Sequence, residues 1–298
     1  MVYNPQAGGL KGRKAGRLAR GKEFLRGSEV LLSAPTTGPR TAGAIAARCI
    51  ADGADLVIAA GGDGTVNEVL EGMLDSPVPL AILPGGTANV LANELGLSSN
   101  MEEAARALLN CAPRRLSVGR VERDLEPARH FLLMAGVGLD AGVIYDLNLP
   151  LKARLGKVAY WMGGVSRFGR TLEEFQVSVD GRAHACTFAL ITKVRNYGGD
   201  FEIAKTVSLL DDEFEVILFQ GRSIRYAKYM MGMIAGRLSG MSGVHVFRAN
   251  RVSISPGRDS RARRVHVQVD GEYAGCLPAV VTIVPNALTL LIPPGYPR

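Results

Sequence analysis

Short apolar runs separated by stretches of helical periodicity dominate the first part of the chain. Residues 56–60 and 80–83 are uninterrupted apolar runs, as is typical of strands buried on both faces of a sheet. Before, between and after them the pattern predicts three helices, over residues 41–51, 66–74 and 101–109. Strands that alternate with helices indicate βαβ units, so we predict an N-terminal α/β domain with a parallel sheet over residues 1–114.

After Pro113 the pattern changes to strands that follow one another without helices between them. This arrangement predicts a C-terminal antiparallel β-sandwich over residues 115–298, whose last strand is able to return to the first domain. Helical insertions are expected over 155–168 and 226–238. The predicted strands are 116–121, 130–135, 175–179, 184–192, 215–219, 252–255, 265–269, 280–284 and 288–292.

The charge balance limits the class of partner. The chain has 35 lysines and arginines against 28 aspartates and glutamates, which gives a net charge of +7. Such a balance favours a nucleotide, an anionic membrane or a nucleic acid. The basic clusters lack the aromatic residues that stack on single-stranded bases, so no nucleic-acid partner is expected.

Two basic clusters have two interpretations each, as solvated surface or as sites of attraction to anionic lipid head groups. The first has a single acid, Glu23, to balance it, and the second lies near the C-terminal end. Their members are Lys11, Arg13, Lys14, Arg17, Arg20, Lys22 and Arg26, and then Arg258, Arg261, Arg263 and Arg264.

Cysteine spacing and hydropathy indicate where the protein works. The four cysteines lie far apart, without a CxxC pair or a histidine cluster, which indicates free thiols in a reducing compartment and disfavours zinc. No signal peptide is apparent, and no apolar run approaches the ~18 residues of a membrane span. We expect a cytoplasmic protein in peripheral contact with the inner membrane surface, and a homodimer is left open.

The candidate chemistry lies in the turns that follow the two apolar runs. The first turn reads Gly61-Gly62-Asp63-Gly64-Thr65 and the second Pro84-Gly85-Gly86-Thr87-Ala88-Asn89. Glycine-rich turns that open a helix wrap phosphate in backbone N–H groups. A carboxylate at such a turn is explained by a divalent cation between Asp63 and the phosphates. Together the turns predict a nucleoside triphosphate site.

Near the C-terminus, Asp270-Gly271 follows the predicted strand 265–269. By itself this pair is a strong signal for a type I′ hairpin turn. The adjacent Glu272 adds a second carboxylate.

These segments resemble the diacylglycerol kinase catalytic family, which includes bacterial lipid kinases and sphingosine kinases. The resemblance follows the family's order along nearly the whole chain. Its motifs are Asn4-Pro5 with Gly8, Gly61 to Thr65 with Asn67-Glu68, Gly86-Thr87 with Asn89, Gly136-Val137-Gly138-Leu139-Asp140, Asn196-Tyr197-Gly198-Gly199 and Asp270-Gly271-Glu272.

The resemblance implies roles for individual residues, with ATP and Mg²⁺ as cofactors. Glu272 occupies the proton-acceptor position with Asp270 beside it, and Asp63 acts through magnesium. The implied metal ligands are Asp63 and, in the 209–214 segment, Asp211 or Asp212, for which two exposed turn acids without a metal are the other interpretation. The implied nucleotide-binding residues are Asn4, Pro5, Gly8, Thr37, Gly61, Gly62, Asp63, Gly64, Thr65, Asn67, Gly86, Thr87 and Asn89.

The chain departs from the family's pattern at three places. Ala7 replaces a usual serine, and Val90 replaces an acid that many bacterial diacylglycerol kinases place in the magnesium-linked network. The 209–214 segment resembles a loop that binds a structural magnesium in relatives but lacks the glycine after its aspartates. These differences argue against specificity for diacylglycerol. They make the chain more similar to the sphingosine-kinase-like members of the family.

The resemblance implies an ATP-dependent lipid kinase acting on diacylglycerol or a sphingoid base. Two alternatives remain open at this point. One is a small-molecule kinase similar to NAD kinases, which share the Gly61–Thr65 string. The other is a catalytically weak lipid-binding regulator, for which Ala7 and Val90 leave room.

Overall fold

The chain forms two compact units. The structure is a computed structural model that describes residues 1–10, 16–25, 31–138, 141, 172–197, 201–221, 223–257 and 265–297. The first unit comprises Met1–Val118 and Pro285–Arg298, and the second comprises Gly119–Val284. The α/β and antiparallel classes predicted for the two parts of the chain are both confirmed.

The first unit is built on a parallel sheet. Its strands are ordered β2-β1-β3-β4-β18, and the described pairings among them are parallel. All residues of β3 and β4 are buried, because helices cover both faces of such a sheet. The strands are β1 (Val2–Tyr3), β2 (Ala34–Pro35), β3 (Val57–Gly61), β4 (Leu80–Pro84) and the second half of β18 (Ala279–Ile292).

Five described helices accompany this sheet. Helix α5 begins at the Asn100 cap, whose side chain accepts the Glu102 N–H, and it packs on α1 and β4. Met101, Ala104 and Leu108 of α5 are buried in a core shared with Ile58 and Leu83. The helices are α1 (Gly16–Leu25), α2 (Ala42–Ala51), α3 (Asp63–Glu71), α4 (Val90–Leu95) and α5 (Met101–Leu108).

The second unit contains antiparallel strands in two groups. One is a six-stranded sheet of order β14-β13-β10-β7-β16-β17, and the other has the order β18-β15-β8-β9, with β5 paired to β6. Alternating side chains of these strands meet in one core that includes Phe131, Phe175 and Phe214.

The remaining elements have the following bounds. The described helix of the second unit is α6 (Ser223–Ile234), followed by a 3₁₀ turn (Leu238–Gly240). The strands are β5 (Ala112–Arg123), β6 (Glu126–Phe131), β7 (Met134–Gly138), β8 (Phe175–Val179), β9 (Arg182–Cys186), β10 (Phe188–Thr192), β11 (Asn196–Tyr197), β12 (Phe201–Glu202), β13 (Phe214–Phe219), β14 (Val244–Ala249), β15 (Arg251–Pro256), β16 (His266–Val269) and β17 (Glu272–Cys276).

Four predicted strands are divided differently in the structure. The runs 130–135 and 184–192 are each interrupted, so each becomes part of two strands. Conversely, 280–284 and 288–292 are one continuous strand, β18, which pairs with β15 in the second unit and with β4 in the first. The first unit comprises residues up to 118, and the chain returns to it at residue 285.

Some predictions fall outside the described residues. They are the helix over 155–168 and the basic cluster at 258–264, together with Lys11, Arg13, Lys14 and Arg26 of the first cluster. Within the described ranges, no helix is both long and apolar enough to cross a bilayer.

Candidate active site

The three glycine-containing turns of the first unit come together at the carboxyl ends of adjacent strands. The turn at residues 4–9 follows β1, the turn at 61–65 follows β3, and the turn at 84–89 follows β4. Because these strands are parallel neighbours, their carboxyl ends meet at one edge of the sheet. This edge is where open α/β sheets bind their ligands.

Backbone hydrogen bonds fasten the turns to one another. The Gly9 N–H donates to the Gly85 carbonyl at 2.8 Å, and the Gly85 N–H donates to the Gly61 carbonyl at 2.8 Å. A Cβ atom on Gly8 would lie 3.1 Å from Thr87 Oγ1. The structure therefore brings Gly8, Gly61 and Thr87 of the predicted site together.

Two of the turns approach so closely that a side chain would not fit between them. A Cβ atom on Gly86 would lie 2.5 Å from the Cα atom of Gly62. Asn89 follows in the left-handed region with φ 47°, where its amide both accepts the Gly86 N–H and donates to the Gly86 carbonyl. Gly62 and Gly86 thus permit a backbone contact that places N–H groups close to a ligand.

The polar side chains at this edge are partly buried. The Asn4 amide nitrogen donates to Thr65 Oγ1 at 3.4 Å, and its amide oxygen accepts the Gln6 N–H. Thr65 and Asn67 are buried on α3, and Gly64 lies in the first turn of that helix. Pro5, Thr37 and Thr87 are exposed, and the Thr37 N–H donates to Thr41 Oγ1.

Asp63 is the carboxylate of this site, at the first residue of α3. Its two oxygens accept the backbone N–H groups of Val90 at 3.0 Å and Leu91 at 3.2 Å. Burial raises the pKa of the Asp63 carboxyl, and these backbone hydrogen bonds oppose that increase. Its hydrogen-bond partners among the described residues are backbone N–H groups, so the ionised form has no cationic side chain beside it there.

This environment fits a magnesium ion at Asp63. A partly buried carboxylate balanced only by dipoles is stabilised by a divalent cation, and phosphate oxygens supply the other hard ligands that Mg²⁺ prefers. Val90, which stands where many bacterial relatives have an acid, contributes only its backbone here, because its N–H donates to Asp63 Oδ2. Asp63 would therefore hold magnesium jointly with the nucleotide.

Glu68 has a structural role that the motif alone did not reveal. Its carboxylate accepts the backbone N–H groups of Arg40 at 2.8 Å and Ala42 at 3.0 Å. It thereby satisfies donors at the start of α2, where Thr41 makes no side-chain cap bond. Glu68 links α3 to α2 and positions the 61–65 turn.

Asp270 of the second unit is an anchor. Its carboxylate accepts three backbone N–H groups, from Leu132 at 3.1 Å, Leu133 at 3.0 Å and Met134 at 2.9 Å. It is buried and has φ 47°, followed by Gly271 with φ 80°, as a type I′ turn requires. Such a carboxylate is poorly placed to accept a proton, so the geometry favours Glu272 for that role.

Glu272 is more accessible and has one described charged partner. Its Oε2 accepts from Arg129 Nη2 at 3.2 Å, and its side chain is 40% exposed. Oε1 has no hydrogen-bond partner among the described residues. Arg129 was missed in the sequence because it lies 143 positions away, in a strand with no motif of its own.

The Asp211 loop is fastened by basic side chains. Asp211 Oδ2 accepts from Arg248 Nη2 at 2.7 Å and from the Ser208 N–H, and its carbonyl accepts from Lys193 Nζ at 2.6 Å. Arg248 also contacts Glu213. Within the described residues no group of three or more His, Cys, Asp or Glu side chains is arranged to hold a metal. This donor set does not fit magnesium.

Lys193 is the second residue that sequence reasoning missed. It is fully buried, and burial lowers the pKa of its ammonium group to about 8, an effect that Asp212 and Asp211 oppose. Leu139, Asp140, Gly198 and Gly199 of the predicted motifs lie outside the described residues. Asn196 and Tyr197 form the short strand β11.

Comparison with known proteins agrees with this geometry. Residues 1–121 match the diacylglycerol kinase catalytic domain, and residues 134–292 match the YegS C-terminal NAD kinase beta sandwich-like domain. A diacylglycerol kinase of Bacillus subtilis (strain 168) is 30% identical over 75% of this chain and 73% of its own. One of Mycobacterium tuberculosis (strain H37Rv) is 27% identical over 83% and 80%.

A solved structure shows the same fold. A crystal structure described as a diacylglycerol kinase of Bacillus anthracis Sterne superimposes with a TM-score of 0.79 at 23% identity. The superposition covers 98% of this chain and 96% of the other. With these matches the chain belongs to the diacylglycerol kinase catalytic family, a family of lipid kinases.

Proposed function

We propose that the protein is an ATP-dependent lipid kinase that transfers the γ-phosphoryl group to the hydroxyl of a lipid such as diacylglycerol or a sphingoid base. The observation that supports this most strongly is the convergence of three glycine turns around Asp63 at the start of α3. Backbone N–H groups and a helix N-terminus bind phosphate, and a partly buried carboxylate among them suits a metal–nucleotide complex.

The first unit would bind and orient ATP. The glycine turns hold the phosphates through backbone N–H groups, and the Thr65 and Thr87 hydroxyls are further donors. When bound at Asp63, magnesium supplies positive charge that offsets the charge on the transferred phosphoryl group. Positioning and electrostatic stabilisation are the main contributions a protein makes to this reaction.

The second unit would supply the proton acceptor. Glu272 Oε1 removes the proton of the lipid hydroxyl as the lipid oxygen bonds to the γ-phosphorus. The bond between that phosphorus and the β–γ bridging oxygen breaks, and ADP leaves with the electron pair. Arg129 holds Oε2 and keeps the carboxylate in one orientation.

The choice of a lipid over NAD rests on the relatives. Two curated proteins, matched over 75% and 83% of the chain, are named diacylglycerol kinases. The match to an NAD kinase-like sandwich concerns fold and carries no substrate. The weak-regulator alternative is countered by the presence of both Asp63 and a Glu272 with an available oxygen.

A soluble kinase that phosphorylates a bilayer lipid must reach the membrane surface. We propose peripheral contact with anionic membrane at the cytoplasmic face, as the basic composition suggests. In α1, Arg17 and Arg20 are exposed, whereas Lys22 lies 4.1 Å from the centroid of the Tyr3 ring and serves the fold. Among these three cations of α1, only Arg17 and Arg20 are therefore suited to contact with head groups.

A phosphate-transfer panel tests the proposal. The protein would be incubated with Mg²⁺ and ATP labelled at the γ-phosphate, together with diacylglycerol, monoacylglycerol, sphingosine, ceramide or NAD. We expect label in at least one extracted lipid and none in NADP. Label only in NADP would support the NAD kinase alternative, and no label in any acceptor would support the regulator.

A further inference from the structure

Helix α6 has one face packed on the second unit and one face exposed. On the packed face, the Tyr226 ring contacts Phe219 at 6.2 Å between centroids, and the Tyr229 hydroxyl donates to the Gln220 carbonyl at 2.6 Å. These contacts fix the rotation of the helix about its axis. The opposite face is consequently presented outward.

The exposed face combines basic groups with an apolar side chain. Lys228 and Met231, three residues apart, lie on the side of the helix away from Tyr226 and Tyr229. Arg225, four residues before Tyr229, borders the packed face, and its side chain lies close to Gly221. All three are exposed, and Met231 is 66% exposed, which is unusual for so large an apolar residue. Arg237, just beyond the helix, is exposed as well.

Among the described residues, no carboxylate pairs with the charges on this face. Residues 216–257 contain six lysines and arginines and no aspartate or glutamate. Arg248 is paired with Asp211 and Glu213, whereas Arg225, Lys228 and Arg237 form no ion pair with any described carboxylate. The adjacent strand β12 contributes one exposed acid, Glu202, and the neighbouring Lys205 offsets it.

We propose that this exposed face of α6, defined by Arg225, Lys228, Met231 and Arg237, docks on the surface of an anionic phospholipid bilayer. The basic groups would contact lipid phosphates while Met231 enters the head-group region, as amphipathic surface helices do. The inference rests on the proposed lipid kinase function, because that function gives the protein a reason to reach a bilayer.

Charge distinguishes a bilayer from the other candidate occupants. A second copy of the chain would bring like charges together across a two-fold axis, which opposes association. A single-stranded nucleic acid would require exposed aromatic rings, but Tyr226 and Tyr229 on this helix are buried. An anionic lipid surface requires only the basic groups and the apolar side chain that are present.

Vesicle co-sedimentation with charge-matched variants tests the inference. The full chain would be mixed with phosphatidylcholine vesicles with or without phosphatidylglycerol. We expect Arg225→Gln/Lys228→Gln to lower the partition coefficient on phosphatidylglycerol vesicles roughly tenfold. Arg48→Gln/Arg106→Gln removes the same charge from exposed arginines that have carboxylate partners, and it should bind as the wild type does. Met231→Gln should weaken binding without changing the charge.

The outcomes separate this inference from the proposed function. Each variant should keep wild-type kinase activity on detergent-dispersed lipid, where no bilayer is needed. Wild-type vesicle binding by the α6 variants, or equal losses in the Arg48/Arg106 control, would overturn the docking surface. Loss of binding in Arg17→Gln/Arg20→Gln alone would assign docking to α1 and also overturn it. Vesicle binding through α6 without lipid phosphorylation would leave the surface in place and refute the kinase.

Discussion

The acidic residues of the two candidate sites differ in what surrounds them. Asp63 is held by backbone N–H groups and its pKa is raised by burial, which is the basis for proposing a metal–nucleotide complex as the partner of its ionised form. Asp270 accepts three backbone N–H groups and is an anchor. Glu272 is the accessible carboxylate, with Arg129 beside one oxygen. Environment rather than residue type therefore separates their roles.

Replacing Asp63 tests the metal–nucleotide assignment. Asp63→Asn keeps one acceptor for the start of α4 but removes the charge, so phosphoryl transfer should fall at least ~10²-fold. Because the pKa of Asp63 is raised in the folded protein, ionisation of its carboxyl lowers the stability of the fold as pH rises. The neutral amide should therefore leave the free energy of unfolding within about 1 kcal/mol of the wild-type value. Kinetics and denaturant unfolding measure the two effects. Asp52→Asn, at an exposed site, is the control, and near wild-type transfer by Asp63→Asn would refute the assignment.

Replacing Glu272 tests the proton acceptor. Glu272→Gln preserves size and an oxygen for Arg129 but removes the basic group, so kcat should fall by ~10²–10⁴. The affinity for ATP should change little, because the nucleotide is assigned to the first unit. Steady-state kinetics at saturating lipid measure both quantities. A collapse of ATP affinity with kcat preserved would identify Glu272 as a nucleotide ligand instead.

At the level of elements, long-range contacts determine what the local pattern cannot. The three turns, the parallel strands and the Asp270-Gly271 hairpin were predictable, since each depends on a short contiguous signal. The anchoring of Asp270 to residues 132–134, the Arg129–Glu272 pair and the Lys193–Asp211 contact join distant segments and leave no periodic signal. Strand β18 was predicted as two strands because Pro285 and Asn286 resemble a break.

The β16–β17 hairpin allows the two neighbouring carboxylates to be compared directly. Asp270→Ala would leave three buried N–H groups unpaired, at ~1–3 kcal/mol each, so the free energy of unfolding should fall by at least about 3 kcal/mol. Glu272→Ala removes a partly exposed ion pair and should cost less than about 1 kcal/mol. Equal losses in chemical denaturation would show that Asp270 does not anchor the hairpin.

Lys193 makes the stability of its loop depend on pH. Its pKa is about 8 in the folded protein and near 10.5 in the unfolded chain. Between these values the unfolded chain binds a proton that the folded chain does not, so raising the pH favours folding. The free energy of unfolding of the wild type, minus that of Lys193→Met, should therefore rise from pH 8 to 10.5. If urea titrations gave a difference between the two proteins that did not change with pH, the lowered pKa of Lys193 would be contradicted.

At the scale of the whole molecule, the two units carry different parts of the proposed chemistry. The first unit provides the phosphate-binding turns, and the second provides the carboxylate suited to activate a hydroxyl. Fold and family were predictable from the order of motifs along the chain, and both are confirmed. The acceptor lipid was not predictable, because the apolar residues that bind lipid chains can replace one another in sequence.

The most direct measurement of the central claim is the transfer of labelled γ-phosphate from ATP into chloroform-extracted lipid. Wild type, Asp63→Asn and Glu272→Gln would be assayed in parallel with diacylglycerol and sphingosine in detergent. The account predicts labelled lipid with the wild type, and at least ~10²-fold less with each variant. Absence of labelled lipid with the wild type, or equal labelling by all three proteins, would contradict it.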